Sequence, residues 1–258
     1  MTRFAGKVAI VTGSSNGIGQ STAVLLASEG ASVTIHGRSE DGLKNTEKLI
    51  LEKGIPADRI LAVRGEIQDE KILQELVDRT VQKFGKIDVV VNNAGLAVRA
   101  DLEGLSMENY EYLHDVNVKS ILRLNQLAEL HLEASKGNIV NVSSIASILP
   151  SPMILYYAMS KASLDHYMRG RTHELAKKGI RINNVNPGLI KTNAFAASGM
   201  SAEEERQFFA SYAQKIPLAR AGAPEEAAKV ICFLASEDAS YVTGVTLPAD
   251  GGYLQRAE

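Results

Sequence analysis

The chain of 258 residues has a single cysteine, Cys232, so it has no intramolecular disulfide to draw on. The thiol lies in the apolar run Val230-Ile231-Cys232-Phe233-Leu234, where a buried and inert side chain is expected. A reducing compartment is compatible with this usage. No stretch approaches the roughly 20 apolar residues of a membrane helix, and the apolar segment from Ile145 to Met159 is broken by Pro150 and Pro152. The run Val8-Ala9-Ile10-Val11 is too short for the h-region of a secretory signal. Excess charge is missing as well: 28 basic against 30 acidic residues leave a net −2, without the basic surplus of nucleic-acid binders. No group of His, Cys and carboxylate residues has metal-ligand spacing. Linkers, repeats and low-complexity stretches are lacking. Together these absences predict one soluble, cytoplasmic domain over residues 1–258, with neither a membrane nor a nucleic acid as partner.

What the chain does have is an alternation of short β-branched runs with longer helical patterns. Strands are predicted at Lys7–Thr12, Ser32–His36, Ile60–Arg64, Ile87–Val91, Asn138–Ser143, Ile180–Val185 and Val242–Leu247. Helices are predicted at Ile18–Ser28, Leu43–Lys53, Asp69–Phe84, Tyr110–Ala134, Tyr156–Lys178 and Pro224–Ser236. Repeated βα alternation implies an α/β fold: a doubly wound, Rossmann-type parallel sheet of about seven strands with helices on both faces. The segment 191–218 departs from the rhythm and reads as a lid over a substrate.

The first strand leads into Thr12-Gly13-Ser14-Ser15-Asn16-Gly17-Ile18-Gly19. Glycines allow a tight turn and a close backbone approach to a pyrophosphate, and the following helix offers free N–H groups and the positive end of its dipole. The spacing is G-x-x-x-G-x-G rather than the commoner G-x-G-x-x-G. A glycine-rich turn alone is also what a plain structural turn looks like. Further along stand Asn92-Asn93-Ala94-Gly95, Asn117 inside a helical pattern, Ser144 at a strand end, Tyr157 with Lys161, and Pro187-Gly188.

Together and in this order, these motifs resemble the short-chain dehydrogenase/reductase family over nearly the whole chain, through Asp250-Gly251-Gly252. The resemblance implies a nicotinamide dinucleotide bound by Gly13, Ser15, Asn16, Gly17, Ile18 and Gly19, by Arg38 and Ser39, by Glu66 and Ile67, and by Asn93, Ala94 and Gly95. Tyr157, Lys161, Pro187, Gly188, Ile190 and Thr192 complete the implied set. At the end of the second strand, Gly37 occupies the place where relatives that prefer NAD carry Asp, and Arg38 follows. A guanidinium matches a phosphate with paired hydrogen bonds, so NADP(H) is expected over NAD(H). The competing reading of Arg38 is an ordinary surface charge. The family often has Asp where this chain has Glu66, one methylene longer.

The resemblance also implies a catalytic set of Asn117, Ser144, Tyr157 and Lys161. Tyr157 and Lys161 are four apart on a helix and share a face. A free phenol has a pKa near 10 and is a poor base, so a nearby ammonium and the oxidised nicotinamide are expected to make it more acidic. Tyr156 competes by type, but the residue four further on is Ser160. Ser144 is expected to donate to the substrate oxygen, and its neighbour Ser143 points to the other side by strand alternation. In the family the mid-helix Asn holds a water that relays protons to the lysine; packing against strands is the plainer account of Asn117.

Leu96, Val98, Ala146, Met153, Leu189, Phe195, Met200 and Phe209 are candidate substrate contacts, each equally able to be core, and their apolar character favours a hydrophobic carbonyl compound or alcohol. The expected activity is hydride transfer between NADP(H) and a carbonyl or secondary alcohol. The alternatives are a dedicated reductase of 3-oxoacyl carrier protein, for which Arg99 and Arg123 are the available entrance cations, and a non-catalytic dinucleotide-binding sensor. By resemblance, a homotetramer or homodimer is expected through the helices Tyr110–Ala134 and Tyr156–Lys178.

Overall fold

The computed structural model describes residues 2–99, 101–192 and 201–256. Seven strands form one sheet in the order β3-β2-β1-β4-β5-β6-β7. They are β1 (Val8–Val11), β2 (Ser32–Gly37), β3 (Ile60–Arg64), β4 (Val89–Asn92), β5 (Asn138–Val142), β6 (Arg181–Pro187) and β7 (Thr246–Ala249). All neighbouring pairs are parallel.

The helices between them are α1 (Gly17–Ser28), α2 (Glu40–Leu51), α3 (Glu70–Phe84), α4 (Met107–His114), α5 (Ser120–Ser135), α6 (Leu155–Lys177), α7 (Ala202–Ala213) and α8 (Pro224–Ala235). Successive strand residues point to opposite faces, and the two apolar layers follow from that. Ala9, Val11, Val89, Val91, Val140 and Val142 pack with α1, α2 and α8. Ile10, Val90 and Ile139 pack on the other face with α3, α5 and α6. Burial on both faces explains why the strands read as unbroken apolar runs. The chain winds one way from β1 to β3 and the other way from β4 to β7, which opens a crevice beyond the carboxyl ends of β1 and β4.

Besides α2, which runs Glu40–Leu51 rather than Leu43–Lys53, and α7, which lies inside the segment read as a lid, two elements differ from the sequence reading. The long helix Tyr110–Ala134 is in fact α4 and α5 joined by a π-helical turn, Asp115–Lys119, and it begins at Met107. The start is set by Ser106, whose hydroxyl accepts from the Asn109 N–H at 3.2 Å. The last strand is Thr246–Ala249 rather than Val242–Leu247. Gly244 takes a left-handed φ of 77°, and the approach to the strand is tied to β6 through side chains. The Ile182 N–H donates to the Thr243 hydroxyl at 3.1 Å and the Val245 N–H to Asn183 Oδ1 at 3.1 Å. No helix of the described residues is long and apolar enough to cross a membrane.

Candidate active site

The turn between β1 and α1 is set by two glycines in the left-handed region, Gly13 at φ 64° and Gly17 at φ 55°. Asn93 locks this turn to the loop after β4. Its Nδ2 donates to the Thr12 carbonyl at 2.9 Å and the Gly13 carbonyl at 3.0 Å. The Thr12 hydroxyl in turn accepts from the Asn93 and Ala94 N–H groups, each at 3.0 Å. The packing leaves no room for side chains: a Cβ on Gly19 would lie 2.3 Å from Asn93 Nδ2, and one on Gly13 would lie 2.8 Å from Ala94 Cα. Gly19 is therefore a packing residue outside the crevice lining.

A crevice of about 350 Å³ runs from this turn across the strand ends, within the range of small-molecule sites. Gly13, Ser15, Asn16, Gly17 and Ile18 line it together with Arg38, Glu66 and Ile67. So do Asn93, Ala94 and Gly95 after β4, Ser144 after β5, Tyr157 and Lys161 on α6, and Pro187, Gly188, Ile190 and Thr192 at and after the end of β6. The group fits a dinucleotide on structural grounds. Asn16 caps α1 without a side-chain hydrogen bond, and the first turn carries no acidic residue. That helix end keeps its free donors and its positive dipole for an anion.

Beside β2, a Cβ on Gly37 would lie 2.8 Å from the Ser15 hydroxyl oxygen, so Gly37 lets the glycine turn after β1 close against the strand. Arg38 is 62% exposed and its guanidinium lies 3.8 Å from the Glu66 carboxylate. Glu66, expected at the adenine, thus leans toward Arg38. Ser39 lies outside the lining: its hydroxyl caps α2 and accepts from the Gly42 N–H at 3.0 Å. The sequence reading missed His36. It is 2% exposed and lines the crevice, and its Nδ1 accepts from the Gly13 N–H at 3.4 Å. Burial pulls the imidazole pKa down to about 4, opposed by the Gly65 backbone, so it is neutral at pH 7.

Tyr157 is half-buried and Lys161 only 3% exposed, one helical turn apart on α6. Lys161 Nζ donates to the Val142 carbonyl at 2.8 Å and lies 5.6 Å from the Tyr157 ring centre. The Ser144 hydroxyl accepts from the Ala146 N–H at 3.1 Å and stands close enough to the phenol to draw its pKa down. Ser143 is turned away, its hydroxyl donating to the Lys161 carbonyl at 3.3 Å. Tyr156 also points elsewhere and donates to the Leu105 carbonyl at 3.1 Å.

The expectation of an acidified phenol is corrected in the chain by itself. Burial raises the Tyr157 pKa and the nearby Ser144 hydroxyl only partly offsets it. Burial also pulls Lys161 down to about 8, against the opposing field of Asp165. In both groups desolvation outweighs the neighbour that opposes it.

Asn117 sits in the π-turn and is fully buried. Its Oδ1 accepts from the Leu96 N–H, and its Nδ2 donates to the Leu96 carbonyl, both at 2.9 Å. Nδ2 also donates to the Ser160 hydroxyl at 3.0 Å. The amide is thus engaged with protein on both sides. Gly95 stays open because a Cβ there would sit 3.2 Å from both Asn117 Oδ1 and Lys161 Nζ.

Of the expected substrate contacts, Leu96 and Leu189 line the crevice. Val98 and Met153 are exposed, the latter 95%. Ala146 is buried beside the Ser144 turn, and Phe209 packs edge-on against Phe208 on α7. Phe195 and Met200 lie outside the described residues. Tyr112 lines the crevice unpredicted, with the Arg99 guanidinium 4.3 Å above its ring. Among the described residues no group of His, Cys, Asp and Glu could hold a metal ion.

The family model described as "Enoyl-(Acyl carrier protein) reductase" matches residues 13–254. The chain belongs to the short-chain dehydrogenase/reductase family. It is 37% identical to the 3-oxoacyl-[acyl-carrier-protein] reductase of Thermotoga maritima, covering 97% of this chain and 98% of that one. It is 38% identical to the glucose 1-dehydrogenase of Gluconobacter oxydans, covering 97% and 92%. A short-chain dehydrogenase/reductase of unknown function from Caenorhabditis elegans, solved with cofactor, superposes with a TM-score of 0.95 at 40% identity, covering 99% and 97%. This chain is accordingly an oxidoreductase of a family that works with nicotinamide dinucleotides.

Proposed function

We propose that the chain is an NADP(H)-preferring oxidoreductase of carbonyl compounds and secondary alcohols, with Tyr157 as general acid and base. One observation carries this reading: the Tyr157 phenol, beside the Ser144 hydroxyl and one turn from buried Lys161, lines the same crevice as the glycine turn after β1. When bound, the nicotinamide supplies or takes up the hydride at the substrate carbon. Gly13 to Gly17 and the N-terminus of α1 would hold the pyrophosphate, Arg38 the 2′-phosphate, and Pro187 to Thr192 the nicotinamide end.

Ser144 and Tyr157 donate to the carbonyl oxygen as negative charge builds on it. Burial keeps the phenol protonated at neutral pH, which suits it to give its proton in the direction of reduction. Lys161 restores that proton. The side chain of Asn117 is committed to Leu96 and Ser160, so the water of the relay is assigned to main-chain groups of the π-turn, a deformation often found at functional sites. Leu96, Leu189 and Tyr112 give the substrate an apolar wall.

The carrier-protein reading has a named relative in its favour, but the two cations named for its entrance are already paired. Arg99 pairs with Asp101 at 2.9 Å, and Arg123 with Glu70 at 2.5 Å. The test is a panel of aliphatic and aromatic ketones, aldehydes, glucose and a 3-oxoacyl carrier protein, assayed by absorbance with NADPH and with NADH. Turnover of hydrophobic ketones with NADPH as the better cofactor supports the reading. No turnover of any of them, or equal efficiency with NADH, contradicts it.

A further inference from the structure

Behind the catalytic trio lies a chain of buried polar side chains that the reaction outlined above does not use. Asn92 Nδ2 donates to Asn141 Oδ1, and Asn141 Nδ2 to Asn184 Oδ1, each at 2.8 Å. Asn184 Nδ2 donates to Asp165 Oδ1 at 2.7 Å. The other carboxylate oxygen of Asp165 accepts from Asn186 Nδ2 at 3.0 Å and the Ser147 hydroxyl at 2.5 Å. The same Asn186 Nδ2 donates to the Ser144 carbonyl at 2.9 Å, and the Ser147 hydroxyl lies 2.7 Å from that carbonyl.

Asp165 is 4% exposed and lies four residues past Lys161 on α6, on the face that carries Tyr157. Three donors converge on its two oxygens, the arrangement that suits an acceptor-only carboxylate. A buried charge needs a compensating partner, and Lys161, itself buried, needs one of opposite sign.

We propose that Asp165 is a positioning residue for the reaction. Through Ser147 and Asn186 it fixes the Ser144 turn against α6, and through its charge it keeps Lys161 an ammonium. This rests on the roles assigned above to Ser144, Tyr157 and Lys161.

The surroundings leave the electrostatic part to Asp165. From β5, Lys161 meets the neutral Val142 carbonyl, and beside it stand neutral Asn117 and the Gly95 backbone. β6 brings Asn184 and Asn186, and the turn after β5 brings Ser144 and Ser147. Asp115 in the π-turn faces outward and pairs with Lys119 at 3.2 Å. On α4, His114 rests against Tyr110, with ring centres 4.0 Å apart, and Tyr110 against Tyr156. On α6 itself the titratable neighbours are Tyr157 and Asp165, and the field of Asp165 holds the Lys161 pKa up against burial.

The readout is the titration of Lys161 Nζ, followed by carbon-13 NMR of lysine-labelled, cofactor-free protein, with Lys161→Arg identifying the signal. In Asp165→Asn the midpoint falls by about one pH unit. In the same variant kcat for the best ketone of the panel falls about tenfold or more at neutral pH, while the NADPH Kd by fluorescence stays within about twofold. Asp165→Ser, whose smaller side chain admits a water to the freed Asn184 and Asn186 donors, carries the same readout where Asp165→Asn does not fold. Ser147→Ala keeps the charge and loses one tether, so kcat falls with the midpoint in place. An unchanged Lys161 midpoint without the carboxylate overturns the electrostatic role, and a parental kcat in Ser147→Ala overturns the tether. A parent enzyme that reduces no carbonyl compound contradicts the function reading alone, because the titration needs no substrate.

Discussion

A histidine held neutral in a cofactor crevice makes the protein sensitive to acid. His36 uses Nδ1 as an acceptor for the Gly13 N–H, which only the unprotonated nitrogen can do. Its pKa in the fold, about 4, lies below the ordinary imidazole value of 6.5. Between those two values the unfolded chain binds more protons than the folded one. Stability is therefore full above pH 6.5 and falls as the pH drops toward 4, by roughly 3 kcal/mol. His36→Asn, which places an amide oxygen near the Nδ1 position, should lose less melting temperature between pH 7 and pH 4.5 than the parent. Parallel losses would refute this account of His36.

Arg38 is the residue whose role was read from chemistry rather than from packing. Arg38→Ala is expected to cut kcat/KM with NADPH about tenfold or more and to leave NADH within about threefold; equal losses with both would return Arg38 to an ordinary surface charge. The signal for Asp165 was present in the sequence, because Tyr157, Lys161 and Asp165 follow one another at intervals of four. What makes it matter, the convergence of Asn184, Asn186 and Ser147, is tertiary and has no local pattern.

At the scale of elements, the strands and most helices were legible because a parallel sheet buried on both faces leaves continuous apolar runs between turn residues. The departures have local causes with weak sequence signals. The π-turn adds one residue to a helical repeat within an otherwise continuous helical pattern, and the interior Asn117 is the residue that hints at it. The displaced start of β7 depends on Thr243 and Asn183 satisfying backbone groups across strands. The clamp that Asn117 places on Leu96 gives this scale its prediction. Asn117→Ala leaves the Leu96 N–H and carbonyl without their partner and should cost about 2 kcal/mol or more of unfolding free energy in urea. It should also lower kcat more than it weakens NADPH binding. A stability within about 0.5 kcal/mol of the parent would contradict the clamp.

For the whole molecule, the crevice follows from topology: the strand order reverses between β1 and β4, and the chain places its phosphate turn and its Tyr157-Lys161 helix on either side of that reversal. Sequence order was enough to foresee this. It was not enough to place the substrate wall, because Val98 and Met153 turn out to solvent while Tyr112 turns in. The outer faces of α4, α5 and α6 leave Met107, Leu130 and Met159 exposed, Leu130 by 77%. Apolar residues on adjoining helices fit the expected homotetramer or homodimer, and light scattering at micromolar concentration should give four or two times the chain mass of 27.8 kDa; a monomer would reject both assemblies. The account as a whole turns on one hydroxyl. In Tyr157→Phe, single-turnover reduction with saturating NADPH and the best ketone of the panel should slow by about 1,000-fold or more, with NADPH affinity unchanged. A rate within about tenfold of the parent would contradict the assignment of Tyr157 as the proton donor.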